Sequence, residues 1–295
     1  CTLCSHKCVL LPGEMGICKC RVNNDGVLVA KTYGVISGMT TENLGEMGFH
    51  FYPKEDVQLL SISGYGCNMN CPYCANKHIS QGRIHTEPLH QEDLINRLKN
   101  LKKSSGVRGV CYTFNEPLIW FEHVRDYAKA VHEAGFYNAI ETNGMIHPEA
   151  FKEILAHMDL VNIDYKGFSK EFYETYVHGD FDNVLENIRA LEESGVFYEV
   201  SCVIVAGEND DEDFFEEGMR ILKEKAPTAR INLLAVVTRP DEENIQVPSM
   251  EKMDALLGIA QRYFADVKIV EREVLPRWWV RWIPTQKNSL KSTRP

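Results

Sequence analysis

Three cysteines near residue 70 have the spacing of a metal-binding loop. Cys67, Cys71 and Cys74 follow a C-x3-C-x2-C pattern, and the aromatic Tyr73 directly precedes the last thiol. Three thiolates at this spacing can wrap around one corner of a cubane iron–sulfur cluster and leave one iron without a protein ligand. The pattern therefore predicts a cluster that keeps one coordination position free.

A zinc site is the alternative for the same loop. Structural zinc takes four ligands, and no cysteine follows at finger spacing, although His78 lies four residues beyond Cys74. The strand-like residues 57–63 precede the loop and an amphipathic helix follows it. Loops at the carboxyl ends of strands carry the chemistry of α/β barrels, and this loop is expected to be one of them.

A second group of cysteines lies at the start of the chain. Five thiols fall within the first twenty residues, a density beyond that of ordinary core cysteines, and they are Cys1, Cys4, Cys8, Cys18 and Cys20. They are predicted to form either a structural zinc site or an auxiliary iron–sulfur cluster that relays electrons or binds substrate. A loop of free thiols is the third possibility. Both metals accept four thiolates, so the sequence does not choose between them.

Composition limits the class of protein. The 295 residues suffice for one large α/β domain with additions, and the net charge of -10 argues against nucleic-acid binding, which favours a basic surface. No run of 18 apolar residues appears, and the start lacks a charged-then-apolar signal pattern. Eight of the ten cysteines fall into the two groups with metal-like spacing. We therefore expect a soluble protein of the reducing cytoplasm, with neither nucleic-acid nor membrane partners.

Alternation of strand and helix patterns from residue 57 onward predicts the fold. About six strand–helix units follow one another, which implies right-handed parallel connections and favours a partial (β/α)6 barrel over a full eightfold one. One helix is expected to start near Asp180 and to stop at Gly195. Residues 26–41 alternate apolar and polar, as one or two strands that close a sheet edge or cover one end of the core.

Three segments are expected from these patterns. Residues 1–52 form a Cys-rich metal-binding extension with short strands, residues 53–274 the barrel, and residues 275–295 a Trp- and Arg-rich tail. The tail carries three Trp in five residues, which either contact a substrate or partner or cover the barrel. Its last residues, 287–295, have the composition of a disordered end.

Polar clusters recur just after the predicted strands. Asn115 and Glu116 follow the second strand, and residues 141–144, 164–167 and 206–209 follow the third, fourth and fifth. A single carboxylate at a strand end is usually a helix cap. Four clusters at equivalent positions instead indicate the active-site edge of a barrel.

These motifs together resemble the radical S-adenosylmethionine (radical SAM) superfamily. The cysteine triplet with Tyr73 is similar to the signature of that superfamily, and residues 112–117, which end in Asn-Glu-Pro, resemble its Gly-Gly-Glu region in the form found in glycyl-radical-enzyme activases. Residues 142–144, 162–167 and 203–207 resemble the subsequent motifs. The opening Cys-x2-Cys-Ser-His-x-Cys is similar to the related AmmeMemoRadiSam group.

The resemblance implies the cofactors and a reaction. A [4Fe-4S] cluster on Cys67, Cys71 and Cys74 would be completed by SAM, and one electron from a low-potential donor such as flavodoxin or ferredoxin would release a 5′-deoxyadenosyl radical that abstracts hydrogen from a substrate. Tyr73 would lie against the adenine, and Glu116 would hold the methionine ammonium. The expected SAM-binding residues are Tyr73, Asn115, Glu116, Thr142, Asn143, Asp164, Lys166 and Gly207.

Three functions are compatible with these features. The first is an activase-like oxidoreductase that places a radical on, or modifies, a protein or peptide. The second is radical modification of a small molecule. The third is a non-catalytic iron–sulfur electron-transfer protein, which would have no use for Glu116 or Asp164. No side chain beyond the cluster is assigned to catalysis.

Two further cysteines lie within predicted strands. Cys111 and Cys202 are expected to be buried as small apolar residues. A Cys202 side chain that pointed into the barrel would instead be able to donate to or quench a radical. A Cys202→Ala variant with unchanged SAM cleavage and product would remove that possibility.

Overall fold

The computed structural model describes residues 1–53, 57–82, 84–237 and 244–270. The predicted Trp-rich tail, residues 275–295, lies outside the described residues. None of the helices in these described ranges has the length and apolar composition that a membrane span requires.

The described part of the chain contains twelve strands, eight α-helices, two 3-10 turns (Leu44–Met47 and Pro117–Trp120) and one π-helical turn (Tyr173–Val177). The strands are β1 (Arg21–Asn24), β2 (Val27–Ala30), β3 (Val35–Ile36), β4 (Gly38–Asn43), β5 (Gln58–Ser63), β6 (Glu87–Pro88), β7 (Gly109–Tyr112), β8 (Tyr137–Thr142), β9 (Leu160–Asp164), β10 (Phe197–Ile204), β11 (Ile231–Ala235) and β12 (Val267–Ile269). The helices are α1 (Lys77–Ser80), α2 (Gln91–Ser105), α3 (Phe121–Glu133), α4 (Pro148–Leu155), α5 (Lys170–Phe172), α6 (Phe181–Ser194), α7 (Glu212–Lys225) and α8 (Met250–Ala260).

One eight-stranded sheet organises the fold. Its spatial order is β4-β5-β7-β8-β9-β10-β11-β12, so each strand from β5 onward lies beside the next large strand of the chain. The strands from β5 to β12 pair in parallel, and β4 pairs with β5 in the antiparallel direction. Six strand–helix units, from β5-α2 to β11-α8, precede the last strand. The predicted α/β fold with a partial barrel is confirmed.

The helices cover the outer face of the sheet with apolar side chains. Residues at helical spacing in α6, such as Val184, Ile188 and Leu191, are fully buried in the main apolar cluster. At the start of α6 the Asp180 side chain accepts a hydrogen bond from the backbone N–H of Asn183 at 3.1 Å, and at its end Gly195 has the left-handed conformation, with φ of 74°. Both ends of this helix agree with the sequence, because a capping carboxylate and a left-handed glycine satisfy the unpaired groups of helix ends.

The amino-terminal end of the barrel is closed by the loop between β4 and β5. The carbonyl of Gly48 accepts hydrogen bonds from the side-chain amides of Asn162 (2.8 Å) and Asn232 (3.0 Å). The Glu199 carboxylate accepts from the backbone N–H groups of His50 and Phe51, each at 2.8 Å. Polar residues on the inner face of three strands therefore bind the loop between β4 and β5, residues 44–57, which we call the plug. The barrel is open at the other end.

The predicted strands between residues 26 and 41 have two different positions. β1 and β2 form an antiparallel hairpin, while β4 joins the main sheet as its edge strand. β3 pairs with the short β6 beside that sheet. Of the two positions expected for residues 26–41, the edge of the sheet is the one that β4 takes.

Candidate active site

The cysteine loop, residues 64–76, leaves the carboxyl end of β5. Its backbone is held by Asn115, whose Oδ1 accepts from the N–H of Gly64 (3.2 Å) and whose Nδ2 donates to the carbonyl of Gly66 (2.9 Å). Gly66 has φ of 88°, and a Cβ at this position would lie 2.2 Å from the carbonyl oxygen of Cys18. The loop therefore requires glycine at position 66, both for its conformation and for its contact with the N-terminal segment.

Glu116 is a buried carboxylate with three donors from the protein. Its Oε1 accepts from the Leu118 backbone N–H (2.9 Å) and the Thr142 hydroxyl (2.7 Å), and its Oε2 accepts from the Asn143 N–H (2.7 Å). Burial raises the pKa of Glu116 to about 7, and these hydrogen bonds act in the opposite direction. An ionised carboxylate offers about four acceptor positions, so one remains for a further donor.

Asn143 connects this carboxylate to the first cysteine. Its Nδ2 lies 3.6 Å from the Cys67 Sγ and donates to the Oδ1 of Asn68 at 2.9 Å. The backbone N–H of Met69 also donates to the Cys67 Sγ, at 3.3 Å. Hydrogen bonds to the sulfurs are among the factors that set the potential of an iron–sulfur cluster.

An ion pair lies near the other side of the loop. The Lys166 Nζ is 2.8 Å from the Oδ2 of Asp164, which is the last residue of β9. Burial raises the pKa of Cys71 to about 12, and the positive charge of Lys166 counteracts that rise.

The Tyr73 ring packs against Tyr176 at 6.0 Å, and the buried Tyr73 hydroxyl has no hydrogen-bond partner within the described ranges.

Gly207 lies farther out than the other predicted residues. It occupies an exposed turn after β10 with φ of 77°, and its N–H donates to the Asp210 side chain at 2.8 Å. The turn is fixed by the buried Asn209, whose Nδ2 donates to the carbonyls of Lys166 (3.1 Å) and Val203 (2.8 Å). Asn209 thus joins the loops after β9 and β10.

Four of the five N-terminal thiols lie together. Cys1, Cys4, Cys8 and Cys18 line one cavity, which also touches Asn68 of the cysteine loop. Cys20 is turned away from it, since its sulfur contacts the Thr32 hydroxyl at 2.7 Å and donates to the Ile119 carbonyl at 3.4 Å. In the part of the chain that the structure describes, no three His, Cys, Asp or Glu side chains surround a point closely enough to hold a single metal ion.

The two strand cysteines face in different directions. Cys202 is fully buried in the main apolar cluster with its β10 neighbours Val200 and Ile204, whereas Ser201 shares the face of Asp164. Cys202 is therefore on the helix side of the sheet, and the condition for its radical role, that it point into the barrel, is not met. Cys111 is packed against the plug.

Sequence reasoning missed several residues of this site. Asn68 and Asn209 are buried amides that hold loops together, and the His6 Nε2–H donates a 2.6 Å hydrogen bond to the Asn68 carbonyl. Gln81 donates to the Met69 carbonyl at 2.8 Å. Asn68 lies between two of the thiols, which was the available signal. His6 likewise lies among the N-terminal thiols, and Asn209 lies in the polar cluster at residues 206–209, but no local pattern marks Gln81.

Comparison with known proteins identifies the class. The profile of the Radical SAM superfamily matches residues 61–217, which include the cysteine loop and the polar ends of β7, β8 and β9. This match covers more than half of the chain, and the protein belongs to the radical SAM superfamily.

Relatives and solved structures extend that result. The chain is 32% identical over 214 residues to an uncharacterized protein of Methanocaldococcus jannaschii, covering 72% of this chain but only 62% of that protein. It is 26% identical over 214 residues to the pyruvate formate-lyase 1-activating enzyme of Escherichia coli, covering 67% of this chain and 86% of that enzyme. A radical SAM methyltransferase from Sphaerobacter thermophilus shares the fold, with a TM-score of 0.60, 16% identity and coverage of 76% of this chain and 69% of that one.

The residues of the loop fit the cluster that the superfamily implies. Three thiols form the donor set, and the Cys67 sulfur already receives two N–H donors, as a ligating thiolate does. Burial raises the pKa of both Cys67 and Cys71, so these thiols favour the protonated form unless a cation compensates them. Coordination to a metal provides that charge and deprotonates a thiol outright.

Proposed function

We propose that this protein is a SAM-cleaving radical enzyme whose substrate is a protein or peptide, as in the glycyl-radical activases. The observation that carries the proposal is the junction of the cysteine loop with the Glu116 network at the carboxyl ends of β5, β7 and β8. A carrier of electrons alone has no need for a buried carboxylate beside its cluster. The sequence similarity to the pyruvate formate-lyase 1-activating enzyme supports the protein or peptide class of substrate.

Each part of the site has a role in this proposal. Cys67, Cys71 and Cys74 would hold a [4Fe-4S] cluster, which would supply the one electron needed to break the S–C5′ bond of SAM into methionine and the 5′-deoxyadenosyl radical. The free acceptor position of Glu116 would take the methionine ammonium, and Thr142 and Asn143 would keep that carboxylate oriented.

The remaining predicted residues would bind the rest of SAM. The Tyr73 hydroxyl, which is unpaired among the described residues, and the aromatic ring beside it would form the adenine end of the site. Asp164 would accept from the ribose hydroxyls, and Lys166 would neutralise the SAM carboxylate. Asn115 would act by fixing the loop, and Gly207 would let the outer turn approach the bound molecule.

A low-potential donor of the flavodoxin or ferredoxin type would supply the electron. Such chemistry belongs in a reducing, anaerobic compartment such as the cytoplasm, because oxygen destroys exposed clusters and quenches radicals. The barrel would exclude water from the radical, with the plug closing its amino-terminal end.

A pair of cysteine variants tests the cluster assignment. We expect Cys71→Ala to abolish the brown absorbance of the loop cluster and the formation of 5′-deoxyadenosine from SAM under reducing, anaerobic conditions. The matched control is Cys202→Ala, a buried thiol on the helix side of β10, which should retain both. Cleavage of SAM at the wild-type rate by Cys71→Ala would contradict the proposal.

The substrate class is tested with the active protein. Reconstituted enzyme, SAM and reductant are incubated with candidate partner proteins and peptides, and a new protein-based radical is sought by electron paramagnetic resonance. A substrate-dependent rise in 5′-deoxyadenosine together with a signal or mass change on a peptide supports the proposal. The same rise with modified small molecules only would favour the alternative of small-molecule chemistry.

A further inference from the structure

The N-terminal segment folds around a small cavity with four thiols in its wall. Cys1, Cys4, Cys8 and Cys18 line it, and the rest of the wall is mostly apolar, with Leu3, Leu118, Ile119, Met145 and Ile146. The loop is closed by a hydrogen bond from the amino nitrogen of Cys1 to the carbonyl of Cys8, at 2.7 Å. The four thiols therefore come from separate turns of one segment and border one mostly apolar space.

The fifth thiol of the segment does not belong to this set. Cys20 is fully buried and does not line the cavity. Its sulfur is hydrogen-bonded to the Thr32 hydroxyl and the Ile119 carbonyl. Cys8 and Cys18, by contrast, both place their sulfurs 3.7 Å from the position of a Cβ on Gly16. Four thiolates are the complete ligand set of either a structural zinc ion or an iron–sulfur cluster.

The size of the cavity distinguishes between a single zinc ion and an iron–sulfur cluster. Its volume of about 20 Å³ exceeds the roughly 10–15 Å³ that one water molecule needs. Four sulfurs bonded to one zinc lie about 2.3 Å from the ion and enclose no such space. The observed room fits a core of several metal and sulfide atoms better than a single ion.

A buried cation of the hairpin faces the same cavity. Arg21 lines the cavity and is 7% exposed. Its two terminal nitrogens bind the Glu122 carboxylate at 2.7 and 2.8 Å, but its Nε has no hydrogen-bond partner in the described part of the chain. A buried N–H of this kind calls for an acceptor, and the sulfurs of an anionic cluster provide one.

The cavity shares a wall with the cysteine loop. Asn68 lines the cavity, its carbonyl contacts the His6 ring at 2.6 Å, and its Oδ1 accepts from Asn143, the residue beside the Cys67 sulfur. The Cys18 carbonyl lies against Gly66 of the same loop. One residue, Asn68, therefore separates the N-terminal thiols from the first ligand of the loop.

We infer that Cys1, Cys4, Cys8 and Cys18 bind a second iron–sulfur cluster, which passes single electrons to the cluster on the cysteine loop. With four thiolates, this cluster keeps no iron open for a substrate, so electron transfer is the function left to it. One electron enters from a low-potential one-electron donor and leaves to the loop cluster, and no bond is made or broken. The relay, unlike the binding of the cluster, rests on the function proposed above.

Metal analysis of the wild-type chain is the first test. After anaerobic reconstitution with iron and sulfide in the presence of zinc, we expect more iron than the roughly four atoms of a loop cubane, with matching sulfide and no stoichiometric zinc. About four irons together with one zinc, or about four irons and no other metal, would overturn the inference.

Variants separate the second site from the first. A protein with Cys67, Cys71 and Cys74 all changed to Ala should keep a cluster whose electron paramagnetic resonance spectrum does not respond to SAM. Cys4→Ser/Cys8→Ser should lose that cluster, while the matched control Cys20→Ser keeps the wild-type iron content. Failure of the proposed function would appear as missing 5′-deoxyadenosine from a protein with full iron content, so the two failures are distinguishable.

The relay is tested by changing the reductant. Dithionite is a small molecule that reaches the loop cluster directly, whereas a flavodoxin must dock on the surface. In Cys4→Ser/Cys8→Ser, we expect the ratio of flavodoxin-driven to dithionite-driven SAM cleavage to fall at least about tenfold, which corresponds to about 1.4 kcal/mol in the barrier. An unchanged ratio would overturn the relay, and folding of the variant is checked by circular dichroism.

Discussion

At the scale of single residues, Glu116 has a structural task as well as the proposed binding task. Its carboxylate joins the segment after β7 to the segment after β8 through Leu118, Thr142 and Asn143. Hydrogen bonds to a buried charged group contribute about 1.5–3 kcal/mol each when one partner is removed. The geometry of the cysteine loop therefore depends on Glu116 even before any cofactor is bound.

The variant Glu116→Gln tests this structural task. An amide has only one acceptor oxygen, and its NH2 group would face an N–H or O–H donor of the pocket, so we expect the free energy of unfolding to fall by about 2 kcal/mol. Urea denaturation of the metal-free chain under anaerobic conditions measures it. Glu149→Gln, on an exposed helix surface, is the control and should change stability by less than about 0.5 kcal/mol. Equal effects of the two variants would contradict the prediction.

Residue types and spacing predicted much of the site, but not the direction of every side chain. The cysteine triplet and the polar strand ends were recognisable because each has a local pattern. Cys18 and Cys20 differ only in a turn that places one at the cavity and the other against Thr32, and their spacing does not encode that difference. The orientation of Cys202 was predictable in part, since it alternates in phase with the apolar Val200 and Ile204.

At the scale of elements, the edge strand β4 carries an unusual carboxylate. Glu42 is 5% exposed, and its Oε1 has no hydrogen-bond partner in the described ranges. Burial raises the pKa of Glu42 from 4.5 to about 7. Between these two pH values, the folded chain keeps a proton that the unfolded chain has already released. The contribution of Glu42 to stability is therefore present below about pH 4.5 and is lost as the pH rises to 7.

Replacing Glu42 with Gln should remove this part of the pH dependence. We expect the wild type to lose about 2 kcal/mol more than Glu42→Gln between pH 4.5 and pH 7, because only the wild type must ionise a buried group. Urea denaturation at several pH values across this window gives both curves. Parallel curves for the two proteins would show that Glu42 is not the group responsible.

The order of the elements was predictable because it rests on periodicity, and the six strand–helix units produce a repeated apolar pattern. The plug between β4 and β5 was not predicted. Its backbone is held by Asn162, Glu199 and Asn232, which come from three strands more than a hundred residues away. Polar residues inside strands are a weak signal from sequence alone, since their partners become apparent only when the barrel is assembled.

At the scale of the whole molecule, the N-terminal segment packs against the cysteine loop and is held there by hydrogen bonds. The His147 N–H donates to the Leu3 carbonyl at 2.7 Å, and His6 contacts the Asn68 carbonyl. The Arg21–Glu122 ion pair ties the following hairpin to α3. These contacts join the two groups of cysteines into one unit at the open end of the barrel, apart from the plug.

Removal of the two proposed clusters should therefore loosen this unit first. We expect chelation to increase hydrogen exchange in residues 1–20 and 64–76 at least about tenfold, because the thiols then lose the metal atoms that hold their loops together. The amides of β8 and β9, within the parallel sheet, should keep their protection. Hydrogen exchange measured by mass spectrometry on the loaded and chelated protein checks this, and an equal increase in the sheet would contradict it.

The close approach of Gly66 to the Cys18 carbonyl also limits how this molecule can be recombined with its relatives. A Cβ at position 66 would stand 2.2 Å from that oxygen, so a barrel with any other residue there has no room for the segment. Grafting residues 1–37 onto another barrel of the superfamily would succeed only where the recipient has glycine at the equivalent place. Exchange of the N-terminal cysteine group between barrels therefore depends on a glycine that lies in the other cysteine group's loop.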